Sequence, residues 1–298
     1  MANAREVKQR IKSVKNISQV TRALQAVSAS KVRKAIDQLE DTRPYSVKAW
    51  QVLQHIAKQP DRSTLHPILV KNSSVKRIIA IVISGDRGLA GAYNSNLIRT
   101  VETWSKSIEV PVQYITVGKR GRDLLLRRGK EIMAEFSNLP AEPSYNDISP
   151  VGRLAVDTFL RNEVEEVYLI YTRFVNRMNH QPVVKKLLPL ETDVDERVKA
   201  FDETVPLIGG YIFEPDQKSI LDEIIPRFTI LQVFHAVIES LASEHSARMV
   251  AMKNATDNAT ALADALQLEY NKARQQTITN DLLDISSGAE ALAQAEKA

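Results

Sequence analysis

A glycine-rich segment follows the first apolar run of the chain, where a nucleotide phosphate could bind. Residues 75–84 (VKRIIAIVIS) lead into a turn with glycines at Gly85, Gly88 and Gly91. In dinucleotide-binding folds such a turn opens a helix whose N-terminus holds the pyrophosphate. The spacing here differs, because the fingerprint places its first two glycines two residues apart. The pattern therefore favours a structural turn in a Rossmann-like shell.

The residues after the second strand-like run bear on the same question. Residues 118–120 (GKR) stand where an acidic ribose-binding residue is expected. Their positive charge could instead hold the 2′-phosphate of NADP, so an NADP-binding oxidoreductase domain with a coiled-coil stalk is an alternative. A P-loop is excluded, since Gln113 replaces its first glycine and Arg120 follows Lys119.

Metal and thiol chemistry find no support in the composition. The chain has no cysteine, which excludes disulfides, thiolate metal sites and a catalytic thiol. Its five histidines show no ligand spacing with a partner acid. We predict no metal site and no bound cofactor.

Charge is distributed unevenly along the chain. Residues 1–60 hold 12 Lys/Arg against 4 Asp/Glu, whereas residues 211–298 hold 7 against 13. A basic run of this kind can be a solvated face, a nucleic-acid patch or a surface for an acidic protein. No aromatic residue precedes Tyr45 to stack on bases, so a basic coiled-coil nucleic-acid binder is a weaker alternative.

Helix breakers divide the chain into parts. Nine of the ten glycines lie between Gly85 and Gly210, and the 61 residues between Pro226 and Gly288 contain neither glycine nor proline. This predicts one very long helix, which needs a partner along its length. We expect the partner to be the stretch from Asn3 to Lys58, paired antiparallel, with a bend or break at Pro44.

Apolar residues at intervals of three and four predict the seam of this helix pair. Around residues 245–248 the expected apolar positions are polar, which predicts a weak, partly frayed middle. The predicted seam residues are Val7, Ile11, Val14, Ile17, Leu24, Val32 and Leu39, facing Leu231, Phe234, Ile238, Leu241, Met252, Ala255, Ala259, Leu262, Leu266 and Ala273.

The middle of the chain alternates strand-like and helix-like segments, which is typical of a Rossmann-like α/β domain. The last two strand-like runs have no helix between them and predict a hairpin. Strands are predicted at 75–84, 110–117, 130–136, 164–172 and 182–190, and helices at 94–107, 120–128 and 148–162. The predicted fold is α/β: a long antiparallel coiled coil of N- and C-terminal helices (1–60 and 211–298) plus a central Rossmann-like α/β domain (75–210).

Targeting signals are not evident in the sequence. No stretch approaches the ~18 continuous apolar residues that span a bilayer, and the first residues have no apolar signal-peptide core. We expect the chain to stay on the cytoplasmic side.

Five blocks resemble one family, in the right order along the chain. They are residues 11–34 (IKSVKNISQVTRALQAVSASKVRK), 86–91 (DRGLAG), 240–259 (SLASEHSARMVAMKNATDNA), 270–279 (YNKARQQTIT) and 285–289 (ISSGA). These blocks closely resemble the gamma subunit of rotary F-type ATP synthases. The absence of cysteine excludes the thiol regulatory loop of plant chloroplast members, which favours a bacterial enzyme.

The resemblance implies a central rotor stalk rather than a catalyst. In that family two antiparallel helices form a shaft inside a hexamer of alpha and beta subunits, and the α/β domain is a foot near the membrane. A proton- or sodium-driven c-ring turns the foot, which couples ion flow to ATP synthesis or hydrolysis. The partners implied are alpha, beta and epsilon subunits and the c-ring, with one copy per complex at the inner face of the plasma membrane and no nucleic acid.

The same resemblance implies which residues make contacts. Contacts to the alpha/beta ring are implied for Arg248, Arg274, Gln275 and Thr279, and for Lys31, Arg33 and Lys34 with an acidic loop of beta. The segment 211–216 (YIFEPD) matches the part of the foot that meets the c-ring and epsilon subunit, with Tyr211 and Glu214 as the contact residues.

Overall fold

The computed structural model of the chain describes residues 4–57, 66–70, 74–190 and 217–295. Side chains are described within these ranges except at Ala4, Arg43, 45–47, 49–57, 217–221 and 290–295. The chain divides into two compact units, one of Met1–Val27 with Met249–Ala298 and the other of Ser28–Arg248. The first and last helices contribute residues to both units.

A five-stranded mixed sheet lies at the centre of the second unit, with strand order β3-β2-β1-β4-β5. The strands β1 to β4 run parallel to their neighbours, and β5 pairs antiparallel with β4. This confirms the Rossmann-like prediction and the terminal hairpin. The strands are β1 Ile78–Ile83, β2 Val112–Val117, β3 Ile132–Phe136, β4 Glu166–Phe174 and β5 His180–Leu188.

The predicted helices between the strands are also confirmed. A helix between successive parallel strands is needed because the chain must return to the start of the sheet. The best capped one, α4 (Tyr145–Leu160), begins after Ser144, whose hydroxyl accepts from the Asp147 N–H while the Asp147 carboxylate accepts from the Ser144 N–H. The helices are α2 Tyr93–Lys106, α3 Lys119–Leu126 and α4 Tyr145–Leu160, and a 3₁₀ turn spans Pro67–Leu69.

Helices cover both faces of the central strand β1, and all six of its residues are buried. Alternate residues point to opposite faces. Ile79, Ile81 and Ile83 pack in one apolar cluster with residues of α4 and the last helix. Ala80 and Val82 pack in a second cluster with residues of α2. Burial on both faces explains why this strand is a continuous apolar run in the sequence.

The two terminal helices are long and unbroken. Helix α1 spans Ala4–Ala57, and α5 spans Gln217–Ala295, or 79 residues. The predicted long C-terminal helix is therefore confirmed and continues past both Pro226 and Gly288. Of the bend or break expected at Pro44, the break is wrong, because α1 continues through it, and the bend stays a prediction. A proline removes one backbone donor, and the remaining bonds of a long helix can carry the chain past it.

In the first unit, α1 and α5 pair antiparallel as predicted. The Thr21 and Thr256 hydroxyl oxygens are 2.6 Å apart, and those of Ser18 and Thr260 are 3.4 Å apart. Partner numbers thus rise along α5 as they fall along α1, which defines an antiparallel pair.

The predicted seam is out of phase in places. Val7, Ile11, Met252 and Ala259 are buried as predicted, and Thr21, Thr256 and Ala263, which were not predicted for the seam, are buried too. Ile17 and Leu262 were expected in the seam but are 54% and 51% exposed. The helical phase places hydroxyl and small residues in the contact, and these two apolar side chains lie one position outside it.

By length and composition alone, the part of α5 from Asp222 to Ala289 contains a window apolar enough to cross a membrane. However, 67% of that window is buried inside the protein. Residues 225–242 of α5 supply much of the core against the sheet, which accounts for the apolar composition.

Replacing Gly118 should destabilise the sheet unit. Gly118 has φ 98°, and a Cβ there would lie 2.2 Å from the carbonyl oxygen of Ser84. We expect Gly118→Ala to lower the free energy of unfolding by about 3 kcal/mol in urea titrations. The control is Gly288→Ala, at an open position inside α5, which should be neutral or stabilising by about 1 kcal/mol. Equal stability of the two variants would contradict the strain argument.

Candidate functional site: the joint between the long helix and the sheet

Three backbone N–H groups at and near the glycine turn donate to side chains of the same chain. The Gly85 N–H donates to Oδ1 of Asn94 at 3.1 Å. The Lys119 and Asn138 N–H groups donate to the two carboxylate oxygens of Asp86 at 2.9 and 3.0 Å. These amides neighbour the place where a dinucleotide phosphate would bind, and they are already satisfied.

The carboxylate of Glu244, on α5, fills the space beside the turn. A Cβ at Gly85 would lie 2.7 Å from the carboxyl carbon of Glu244. Burial raises the pKa of Glu244, while the charge of Arg248 acts in the opposite direction. The Glu244 carboxylate thus occupies the space beside Gly85 that a phosphate group would need. The residues present therefore do not fit a dinucleotide, which weighs against the oxidoreductase alternative.

Arg248 connects three groups at this site. Its Nη2 donates to Oε1 of Glu244, its Nη1 contacts Nδ1 of His245 at 3.1 Å, and its Nε donates to the carbonyl oxygen of Gly88 at 3.2 Å. Only 11% of the Arg248 side chain is exposed. A guanidinium can only donate, so the Nδ1 of His245 accepts and the imidazole proton lies on Nε2. One buried side chain thereby ties α5 to the glycine turn.

His245 is a neutral acceptor in this arrangement. Burial lowers the pKa of His245 to about 4, and the positive charges of Arg248 and Lys31 act in the same direction. The imidazole is consequently uncharged at pH 7 and stays so until the solution is strongly acidic.

Three serines of α5 bond the backbone at the carboxyl end of the sheet. The Thr172 N–H donates to Oγ of Ser240 at 3.2 Å, and Ser243 donates its hydroxyl to the Thr172 carbonyl oxygen at 3.2 Å. Ser246 donates to the carbonyl oxygen of Arg177, in the β4–β5 turn, at 2.8 Å. We call Ser240, Ser243 and Ser246 the serine row.

Beyond the end of β1, the serine row supplies the hydrogen-bond partners for the edge of β4 that β1 no longer covers. The β1–β4 pairing stops at Val82 and Ile170. Two residues further along β4, both peptide groups of Thr172 bond to serines rather than to a strand. Tyr93 adds a bond from the turn side, because its hydroxyl donates to the Ser240 carbonyl oxygen at 3.2 Å.

The polar residues in the predicted weak middle of α5 are thus packed rather than loose, and the fraying expected of an isolated chain stays a prediction. Residues 243–246 are all less than 9% exposed, and their polar side chains are hydrogen-bonded within the second unit. Polar character on a helix face does not by itself mark a loose seam. The signal that could have found this site is the three-residue spacing of small hydroxyl residues on a helix that is otherwise apolar.

Comparison with known proteins decides the family. A family model described as ATP synthase matches residues 3–292. The ATP synthase gamma chain of Dehalococcoides mccartyi is 42% identical over 297 residues, covering 98% of this chain and 100% of that protein. The gamma chain of Herpetosiphon aurantiacus is 40% identical over 303 residues, covering 99% and 100%. This chain belongs to the ATP synthase gamma chain family.

A solved structure supports the fold of this gamma-family chain. A chain in the OSCP/F1/c-ring structure of the Euglena gracilis mitochondrial ATP synthase matches with a TM-score of 0.67 and 20% identity, covering 99% of this chain and 96% of that one. At that identity the match shows a shared fold.

The contact residues implied for a gamma chain lie in different surroundings. Lys34 bonds Glu142 at 2.6 Å on the surface, and Arg33 is exposed. Lys31 is half-buried and faces the same two groups, Glu244 and His245, as Arg248 does.

The remaining contact residues are further along the chain. Arg274, Gln275 and Thr279 are exposed on α5 in the first unit. Tyr211 and Glu214 fall outside the described residues. Over the parts of the chain that the structure describes, no three His, Asp or Glu side chains gather as a metal-binding group.

His245 should make stability fall in acid. The unfolded chain protonates this imidazole near pH 6.5, whereas the folded chain does so near pH 4. Between these two pH values unfolding takes up a proton. The contribution of His245 to the free energy of unfolding is therefore fully present above pH 6.5 and is lost as the pH falls toward 4. We expect the loss between pH 7 and pH 5 to be about 2 kcal/mol larger in the wild type than in His245→Gln. Urea titrations at both pH values measure it, and equal losses would show that His245 titrates normally.

Proposed function

We propose that this chain is the non-catalytic central rotor stalk of a bacterial F-type ATP synthase. In this role it couples proton-driven rotation of the c-ring to ATP synthesis or hydrolysis in the alpha/beta hexamer, and thereby regulates ATPase activity and proton flow. It acts as one copy per complex, at the cytoplasmic side of the plasma membrane. The observation that carries the proposal is α5, one helix of 79 residues that belongs to both compact units. A continuous helix can transmit a twist because no flexible segment interrupts it.

The far part of α5 supports a surrounding partner. Several large apolar side chains on it are at least half exposed, and a row of this kind typically marks an interaction surface. Polar residues alternate with them, which suits an interface that must slip rather than adhere. The exposed apolar residues are Leu268, Ile278, Leu282, Leu283 and Ile285.

We assign the contacts on the same basis. The alpha/beta ring would surround Arg274, Gln275 and Thr279, whose side chains are exposed, and would also contact Arg248. Lys31, Arg33 and Lys34 would lie toward an acidic loop of the beta subunit, with charge complementarity as the attraction. Tyr211 and Glu214 would meet the c-ring and the epsilon subunit.

The proposed function predicts which proteins bind this chain in the cell. A tagged chain purified gently from its own membranes should bring alpha, beta and epsilon subunits in fixed stoichiometry, identified by mass spectrometry. ATP hydrolysis by that preparation should be coupled to ion pumping only when the chain is present. A homo-oligomer without those subunits would contradict the proposal.

The exposed polar contacts predict a second outcome. We expect Arg274→Leu with Gln275→Leu to leave the free energy of unfolding within about 0.5 kcal/mol, because both side chains are exposed. ATP-driven proton pumping per ATP hydrolysed should nevertheless fall in membrane vesicles. The control is Lys272→Leu with Gln276→Leu, which likewise removes one cationic and one amide side chain from exposed positions nearby. Unchanged pumping per ATP in the first variant would remove this pair from the contact set.

A further inference from the structure

The serine row lies in the part of the protein where α5 meets the sheet. Ser243 and Ser246 are fully buried, and Ser240 is nearly so. Their partners are backbone atoms of the β4 end and of the β4–β5 turn, so the bonds depend on the path of the chain there rather than on particular side chains.

Apolar packing alone would not fix this helix at one rotation about its axis. The contacts of residues 225–242 with the sheet are strong, but the hydrophobic effect has no preferred direction. A hydrogen bond requires about 3 Å between donor and acceptor and near-linear geometry, so a small rotation or shift of the helix breaks it. Three such bonds along about two turns of helix define both the rotation of α5 about its axis and its position along that axis.

Breaking these bonds would also leave buried polar groups without partners. The Thr172 N–H donates to Ser240, and the Thr172 carbonyl oxygen accepts from Ser243. Rotating α5 about its axis would therefore break both hydrogen bonds at once. Unpaired buried groups cost more than an average hydrogen bond contributes. The arrangement thus resists a twist more steeply than the apolar contacts around it.

We propose that Ser240, Ser243 and Ser246 are positioning residues that hold α5 at one rotational setting against the sheet, so that torque on the sheet unit enters the helix. This inference rests on the proposed rotor function and adds the residues through which the torque passes. The serines touch neither nucleotide nor ion, and they act only through the orientation of α5.

The test uses the complete ATP synthase in inverted membrane vesicles. Ser240→Ala, Ser243→Ala and Ser246→Ala are combined in one chain, and ATP hydrolysis and ATP-driven proton uptake are measured in the same vesicles. We expect hydrolysis to stay within about twofold of the wild type, while the ratio of proton uptake to hydrolysis falls at least about twofold. A ratio equal to that of the wild type would overturn the proposal.

A matched control separates positioning from general stability. Ser149→Ala removes a buried hydroxyl from α4 and leaves the α5 bonds in place. It should keep the wild-type ratio, and the same fall in this control as in the triple variant would overturn the proposal. If the triple variant does not assemble, Ser240→Ala and Ser246→Ala are measured singly, and an unchanged ratio in both overturns it.

Failure of the rotor function itself would be distinguishable. In that case ATP-driven proton uptake would be the same in vesicles that contain the wild-type chain and in vesicles that lack it. Coupled uptake in the wild type, together with an unaffected triple variant, would leave the rotor function standing and remove only the serine row.

Discussion

The fixed setting of α5 against the carboxyl end of the sheet is the interaction on which the rest of the structure depends. Polar side chains on residues 240–248 bond three separate backbone sites, at Gly88, Thr172 and Arg177. The glycine turn can come so close only because Gly85 has no side chain, and its space is taken by Glu244. The glycine turn, whose sequence resembles a nucleotide-binding turn, thus packs against α5.

The two units hold the long helices by different means. In the sheet unit, α5 packs on a large apolar cluster and is then oriented by hydrogen bonds. In the coiled-coil unit, the contact includes small residues and a buried hydroxyl pair, Thr21 with Thr256. These two hydroxyls meet at one point of the antiparallel pair, and each also lies within hydrogen-bond distance of a carbonyl oxygen of its own helix. This unit leaves large apolar side chains of α5 exposed, among them Leu268 and Ile285.

Much of the fold could be predicted from the sequence because period and breakers are local signals. The apolar run at 75–84 predicts a strand, and the glycine-free stretch after Pro226 predicts a helix, because both patterns depend on neighbouring residues. The phase of the seam could not be predicted, because Ile17 and Leu262 are more apolar than the hydroxyl residues that pack there. The serine row was missed for the same reason: its bonds join residues about 70 positions apart, and polarity alone suggests exposure.

Direct observation of rotation tests the central claim most directly. The chain has no cysteine, so Met178→Cys, at a position 77% exposed in the β4–β5 turn, would create a single thiol for a fluorescent probe. With the alpha/beta ring held on a surface and ATP added, the account predicts that the probe turns in one direction and stops when ATP is removed. A probe that stays still while ATP is hydrolysed by the same complex would contradict it.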